Sequence, residues 1–133
     1  MKTLKLTIAF LIISMICCLA SCDHDPYKGE RPVDQPGTTW VCEQYHMKYT
    51  VGSYESSEFV TENGTIHFQF MFSLYSNWVS CYEYDKEGNK VGNPFDGACE
   101  FSKDNFIIEV HQDENSEVYF DKFPVTLIFK KVE

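Results

Sequence analysis

The sequence lacks the short patterns by which most catalytic sites are recognised. It has no Gly-x-Ser-x-Gly nucleophile motif, no glycine-rich phosphate loop and no His-Glu-x-x-His zinc motif. It also lacks a Cys-x-x-Cys pair or a Cys/His cluster with zinc spacing. We therefore expect a protein that is not an enzyme and that needs neither a cofactor nor a metal.

Basic residues are also scarce. The chain has 11 Lys and Arg against 20 Asp and Glu, which gives a net charge of −9, and its basic residues form no cluster. An acidic surface of this kind repels phosphate backbones. Nucleic acid is therefore not expected as a partner.

The chain has a long apolar run in only one place, from Thr7 to Ala20, just after Lys2 and Lys5. A positive start, an apolar run and small residues at the end are the three parts of a secretory signal peptide. The run is about 14 residues long, whereas a membrane-spanning helix needs about 20. We expect residues 1–21 to be a signal peptide that is removed.

The end of this segment, Leu19-Ala20-Ser21-Cys22, resembles the lipobox of bacterial lipoproteins. The resemblance implies cleavage before Cys22 and a diacylglycerol on its thiol, and hence attachment to the outer membrane, facing the periplasm or the cell surface. An ordinary signal peptide followed by a chance cysteine is the alternative. Removing 21 residues of 133 leaves 112, enough for one domain, and losing Lys2 and Lys5 takes the net charge from −9 to −11.

Residues 22–36 are predicted to be a flexible, acidic and proline-rich tether. From Asp23 to Gly37 the chain has three prolines, two glycines and no apolar periodicity. Asp23 and Asp25 resemble the surface-export signal that follows the lipidated cysteine in lipoproteins of Bacteroidota. A merely soluble linker explains them as well.

Beyond Gly37 the chain alternates apolar and polar residues and shows no sustained helical period, which predicts seven or eight short antiparallel strands. Asn63-Gly64 predicts a hairpin turn that places Phe59 opposite Phe68 and Thr61 opposite Ile66. The expected strands are 40–50, 57–62, 65–72, 79–84, 97–101, 106–111, 117–120 and 123–131.

Three segments of this region resemble lipocalin-like lipoproteins of Bacteroidota. They are Gly37-Thr38-Thr39-Trp40, the hairpin from Gly97 to Val110, and Thr126 to Lys131. The resemblance implies that residues 37–133 form one all-β, antiparallel, up-and-down barrel with Trp40 closing one end and a small apolar ligand at the other. The region is shorter than a full lipocalin, so whether the interior has room for a ligand stays open.

Two functions remain open at this point. The first is binding of a small hydrophobic molecule inside the barrel, for which the candidate lining residues are Trp40, Phe68, Phe70, Trp78, Phe101 and Phe129. The second is a structural or interaction module that contacts a partner protein or glycan at the cell envelope, with an aromatic surface of Trp78, Tyr75, Tyr82 and Tyr84. An open apolar cavity of about 300 Å³ or more would favour the first. The oligomeric state is not predicted.

Three cysteines remain after Cys17 and Cys18 are removed and Cys22 is acylated. Cys81 and Cys99 are the expected disulfide, because both lie in strand-like segments that could pair across a hairpin. Three buried free thiols, including Cys42, are the alternative. His46, His67 and His111 could hold a metal only if the fold brought them together.

Overall fold

In a computed structural model, residues 25–27 and 29–132 are described, and they form a closed barrel of eight antiparallel strands in chain order. The strands are β1 (Thr39–Cys42), β2 (Met47–Thr50), β3 (Glu58–Thr61), β4 (Gly64–Phe72), β5 (Trp78–Tyr84), β6 (Lys90–Phe101), β7 (Asn105–His111) and β8 (Thr126–Val132). A 3₁₀ turn (Pro32–Asp34) precedes β1, and one helical turn, α1 (Ser116–Tyr119), lies between β7 and β8. The predicted all-β up-and-down barrel is confirmed.

The core lies inside the barrel and is built by alternation along each strand. In β4 the buried residues are Phe68, Phe70 and Phe72, and in β8 they include Leu127 and Phe129. Successive side chains of a strand point to opposite faces, so these patterns send every second residue inward. Burial of each large apolar side chain contributes about 1.5–3 kcal/mol to stability.

The segment 40–50 is two strands rather than the one that we predicted. Cys42 pairs with Met47, and a tight loop between them turns the chain. Both residues are buried although they are five positions apart, which a single continuous strand would place on opposite faces. The reversal lets this short segment form two strands, each of which directs a row of side chains into the barrel.

The predicted strand over 117–120 is wrong, because this segment contains the helical turn α1. Asp113 and Ser116 start the turn by exchanging hydrogen bonds. The Ser116 amide donates to Asp113 Oδ1 at 2.9 Å, and the Asp113 amide donates to Ser116 Oγ at 2.8 Å. Such side-chain bonds offer the backbone an alternative to a strand ladder.

The β3–β4 hairpin forms as predicted, but its register differs. Phe59 pairs with Ile66 and Thr61 with Gly64, so Phe59 is not opposite Phe68. Thr61 Oγ1 tightens the turn by donating to the Gly64 carbonyl at 2.7 Å. Because the shift is by two residues, every side chain of β4 keeps its predicted face.

The barrel has two ends that differ in their loops. The segment before β1 and the β2–β3, β4–β5 and β6–β7 loops lie at one end, which we call the proximal end. The β1–β2, β3–β4 and β5–β6 loops and the connection that contains α1 lie at the other, which we call the distal end.

The predicted tether is not free over its described part, because it packs on the proximal end. Arg31 is almost fully buried and binds Asp25 in a two-pronged ion pair, with nitrogen to oxygen distances of 2.6 and 2.9 Å. Its Nη2 also lies 3.5 Å from the Ser76 carbonyl oxygen in the β4–β5 loop. Tyr27 packs edge-on against Phe101, with 5.8 Å between ring centroids. A buried pair and an aromatic contact therefore attach this segment to the barrel, which composition alone did not indicate.

Candidate functional site

The barrel interior is filled by aromatic rings. Of the predicted lining residues, Trp40, Phe68, Phe70 and Phe129 are buried. The rings of Phe106 and Phe129 stack with their centroids 4.6 Å apart, and Phe70 lies edge-on to Phe129 at 5.5 Å. These residues therefore contact one another where a ligand was expected.

The other two predicted lining residues lie elsewhere. Phe101 is half-buried at the proximal end, and Trp78 points outward from β5 with 38% of its surface exposed. Five of the best-defined pockets in the described part of the chain are lined by other residues, and none of these five is lined by Trp40, Phe68 or Phe129. The predicted set of six lining residues is therefore not brought together around one cavity.

The predicted aromatic surface is not continuous either. Trp78, Tyr82 and Tyr84 share the outward face of β5, and each already has a partner. Trp78 lies against His111, with 6.0 Å between ring centroids. Tyr84 stacks with Tyr54 at 5.5 Å between ring centroids, and Lys90 Nζ lies 3.7 Å from the centre of the Tyr82 ring. Tyr75 lies apart from this face, in the β4–β5 loop.

The expected Cys81–Cys99 disulfide is not formed. Cys81 pairs across the sheet with Phe95, and Cys99 lies four residues further along β6, about 13 Å away at the usual rise of a strand. A disulfide needs Cα atoms within about 7 Å. In the described part of the chain Cys42, Cys81 and Cys99 are buried free thiols.

Burial also makes these thiols unreactive. It raises the pKa of Cys99 to about 12 and raises the pKa values of Cys42 and Cys81 as well. Nucleophilic chemistry needs the thiolate, whose population falls as the pKa rises. The thiols therefore serve as small apolar side chains of the core.

The best-defined concave site lies at the distal end, and we call it the distal cleft. Its volume is about 260 Å³. Loop β1–β2, strand β3 with its turn, and the segment around α1 form its walls. The residues that line it are Gln44, Tyr45, His46, Phe59, Val60, Thr61, Glu62, Asn63, Val118, Tyr119 and Asp121.

Phe120 supports the cleft from the interior of the barrel. It is 4% exposed and packs edge-on against Phe59, Phe95 and Tyr45, with centroid distances of 5.7, 5.5 and 5.5 Å. Edge-to-face pairs add about 0.5–1.5 kcal/mol each beyond the burial of their surface. Phe120 thus closes the distal end of the barrel and fixes α1 above it.

The β1–β2 wall of the cleft has an unusual backbone. His46 lies in the left-handed region, with φ of 56°, which few residues other than glycine adopt. Its carbonyl accepts a hydrogen bond from the Val60 amide at 3.0 Å, which joins this loop to β3. Strained backbone of this kind is enriched at binding sites, so it supports a functional role for the cleft.

Tyr119 is held in the opposite wall by an inward-facing acid. Its hydroxyl lies 3.3 Å from Glu83 Oε2 and donates to it. Burial, together with the negative charge of Glu83, raises the pKa of Tyr119. The phenol therefore stays neutral at physiological pH, and its ring forms part of the cleft wall.

The electrostatics of the cleft limit what it can bind. Its described lining contains Glu62 and Asp121 but neither Lys nor Arg. Negative charge disfavours anions, whereas Gln44, Asn63 and the tyrosines offer hydrogen-bond donors, acceptors and ring faces. The cleft therefore disfavours anionic ligands and offers hydrogen bonds and ring faces to an uncharged or cationic one.

The three histidines do not converge on a metal site. His46 is in the β1–β2 loop, His67 in β4 and His111 at the end of β7. Residues 25–27 and 29–132 contain no group of three or more His, Cys, Asp or Glu side chains that could hold a metal ion.

Sequence reasoning missed the distal cleft for an identifiable reason. Tyr45 and His46 lie in the loop that was predicted to be the middle of a strand, and Tyr119 lies in the helical turn that was also predicted to be a strand. These two wrongly assigned segments are therefore two walls of the site, whereas the errors at the starts of β6 (Lys90, predicted 97) and β8 (Thr126, predicted 123) lie outside it. The break in alternation between Cys42 and Met47 was the one signal that could have located the first.

Comparisons with known proteins found no match for the chain among protein-family models, curated proteins or solved structures. In the described part of the chain, no helix has the length and apolar character needed to cross a membrane. Residues 1–21 and Cys22, on which the signal-peptide and lipid predictions depend, lie outside the described residues.

Proposed function

We propose that this protein is a non-catalytic binding module of the cell envelope, anchored to the outer membrane by a lipid on Cys22, and that its distal cleft binds a neutral carbohydrate. The observation that carries the proposal is the polar, tyrosine-walled cleft at the end of the barrel opposite the tether. A ligand bound there would approach from the side that faces away from the anchor.

A carbohydrate fits the cleft better than a hydrophobic molecule fits the barrel. Aromatic rings occupy the interior, where Phe106 and Phe129 stack against each other. The cleft instead combines Tyr45 and Tyr119 with the amide side chains of Gln44 and Asn63. Sugars present hydroxyl groups for hydrogen bonds and C–H faces for aromatic rings, and this lining offers partners for both.

The size of the cleft favours a small ligand or the end of a glycan chain. At about 260 Å³ it lies near the lower limit of small-molecule pockets, which measure about 300–1,000 Å³. A stable protein interface buries about 800 Å² on each partner, far more than such a cleft provides. A partner protein would need additional contacts outside it.

The anchoring part of the proposal is supported by the Leu19-Ala20-Ser21-Cys22 motif and by the acidic residues Asp23 and Asp25. These features, together with the barrel, favour a lipocalin-like lipoprotein of the Bacteroidota type. Membrane fractionation of the Cys22→Ala variant tests this part. We expect the variant to leave the membrane fraction, and a variant that stays there would contradict the lipid anchor.

The binding site can be tested with the domain from Asp23 onward and a panel of neutral mono- and oligosaccharides, followed by NMR. We expect a ligand to shift the amide signals of Tyr45, Asn63 and Tyr119. Tyr45→Ala should weaken binding about tenfold, roughly 1.4 kcal/mol, because it removes one ring face. Tyr75→Ala, which removes an exposed tyrosine at the proximal end, is the matched control and should leave affinity unchanged.

Three results would overturn the binding proposal. The first is that no saccharide of the panel moves signals from the cleft, and the second is that both tyrosine variants weaken binding equally. The third is a small apolar molecule that stays with the protein in native mass spectrometry after purification from its own host. That result would favour a ligand inside the barrel.

A further inference from the structure

The proximal end carries a loop without charge in a strongly acidic protein. Residues 63–82 contain no Asp, Glu, Lys or Arg, although the chain has 31 charged residues in 133. The β4–β5 loop, Ser73–Asn77, lies in this stretch and projects from the proximal end. Acidic side chains are repelled by anionic headgroups, so an uncharged loop can approach a lipid surface more closely than the rest of the protein.

The loop presents its apolar side chains outward. Leu74 is 71% exposed and Tyr75 is 56% exposed, which is unusual for two adjacent large side chains. Tyr75 has φ of 65°, so the loop holds a backbone conformation that bulky residues seldom adopt. Leucine and tyrosine are suited to the boundary between headgroups and acyl chains, where one part of a side chain is apolar and another is wet.

The attachment of the chain places this loop near the anchor. Arg31 contacts the carbonyl oxygen of Ser76, next to Tyr75, and pairs with Asp25 through both of its terminal nitrogens. Asp25 is only three positions after Cys22, and extended chain spans at most about 3.6 Å per residue. The Cα atoms of Cys22 and Asp25 therefore lie within about 11 Å of each other.

A lipid on Cys22 would thus hold the loop at the membrane. The headgroup region is about 5–7 Å thick on each side of the hydrocarbon core. With Asp25 bound to Arg31, a lipidated Cys22 cannot lie more than about 11 Å from Asp25, so the barrel cannot stand far off the surface. The proximal end then faces the lipid and the distal cleft faces away from it.

We propose that the β4–β5 loop rests on the lipid surface in which Cys22 is anchored, with Leu74 and Tyr75 inserted among the headgroups, and that the Asp25–Arg31 pair fixes this orientation. The inference rests on the lipid anchor of the proposed function and adds the orientation of the domain. A lipid surface fits this loop because the attached chain ends beside it.

The test uses the full lipidated protein in phosphatidylcholine vesicles, with or without bromine on the acyl chains, which quenches nearby tryptophan. Leu74→Trp places a reporter in the loop. Val118→Trp is its matched control, because Val118 is 68% exposed at the distal end. Both variants also carry Trp78→Phe, because Trp78 directly follows the loop and is exposed, so lipid would quench it in either variant. Trp40 is buried and contributes the same background to both. We expect brominated lipid to quench Leu74→Trp roughly twofold or more, and to leave the Val118→Trp reporter unchanged.

A second pair of variants tests the orienting role of Arg31. In the Leu74→Trp background, Arg31→Gln should lose much of the quenching because the barrel can then rotate about the tether. Glu30→Gln removes a neighbouring exposed charge and should leave the quenching unchanged. Circular dichroism checks that each variant retains the barrel.

Equal quenching at the two ends, or quenching at neither, would overturn the orientation. The intact mass of the purified protein separates this result from failure of the anchor. If the mass shows acyl chains on Cys22 and Leu74→Trp is not quenched, only the orientation is wrong. If the mass shows no acyl chain, the anchor and the orientation both fail, while carbohydrate binding in the cleft is tested independently.

Discussion

The two ends of the barrel share one core but differ in their loops. The distal loops carry eight of the 20 acidic residues of the chain, whereas the β4–β5 loop at the proximal end carries no charge. The distal acidic residues are Glu43, Glu62, Asp85, Glu87, Asp113, Glu114, Glu117 and Asp121. Because packed side chains fill the interior of a small barrel, its strands are constrained, whereas its loops are free to differ. This difference agrees with the proposal that the proximal end attaches the protein and the distal end binds a ligand.

The ends are also closed in different ways. Trp40 at the proximal end donates a hydrogen bond from its indole to Thr38 Oγ1 at 2.9 Å and lies beneath Lys131, whose Nζ is 5.6 Å from its ring. Phe120 closes the distal end by packing alone, from a connection between strands rather than from a strand. Closure of the distal end therefore depends on how the connection between β7 and β8 packs onto the barrel.

The largest expected effect tests this closure of the distal end. Phe120→Ala should lower the free energy of unfolding by about 3–5 kcal/mol, because it leaves a cavity among Phe59, Phe95 and Tyr45. Phe101→Ala at the proximal end should cost less, since Phe101 is only half-buried. Urea denaturation of the two variants measures the difference. Equal losses would show that the ends are packed alike.

A smaller loss of stability is expected when the helical turn α1, which carries Tyr119 in the cleft wall, is weakened. Ser116→Ala should cost about 1 kcal/mol because it removes the hydroxyl that accepts the Asp113 amide and donates to the Asp113 carbonyl. The same variant should weaken saccharide binding, because α1 positions Tyr119. Thermal unfolding and a ligand titration check the two expectations. Lower stability with unchanged saccharide binding would show that α1 does not position Tyr119 for binding.

The smallest effect on overall stability is expected for the proximal attachment, and it depends on pH. The Arg31 guanidinium lowers the pKa of the Asp25 carboxyl to about 2, below the ordinary value of about 3.9. A lowered pKa stabilises the attached form above about pH 4, and this contribution is lost as the pH falls towards 2. NMR signals of Tyr27 and Arg31 should therefore change between about pH 4 and 2.

In that experiment Asp25→Asn is the control, because it should show the detached signals at every pH. Barrel signals such as those of Phe129 should not follow the same titration. Release of the segment at pH 6, well above this window, would show that the pair does not hold it.

Much of the barrel could be predicted from local alternation. The buried faces of β4, β7 and β8 follow directly from apolar residues at every second position. The β3–β4 turn was predicted, although its register was wrong by two residues. Thr61 bonds to Gly64, which moves the turn one residue towards the N-terminus. A two-residue error preserves the faces, so it did not affect the predicted core.

The candidate site was not predictable in the same way. The cleft joins residues from the β1–β2 loop, β3 and α1, which are up to about 75 positions apart in the chain, and no local pattern relates them. The predicted interior site failed for a related reason. Alternation shows that Phe70 and Phe129 point inward, but not that their rings meet at 5.5 Å and leave no room between them.

The sequence by itself determined the class of the fold, the inward faces of its strands and the acidic character of its surface, because side-chain period and charge are local properties. Only the tertiary structure decided what lies at the two ends and inside. Closure of β1 on β8, contact of Arg31 with Ser76 and separation of Cys81 from Cys99 all depend on distant segments meeting. Such contacts are selected by how the whole core packs, and no short window of sequence contains that information.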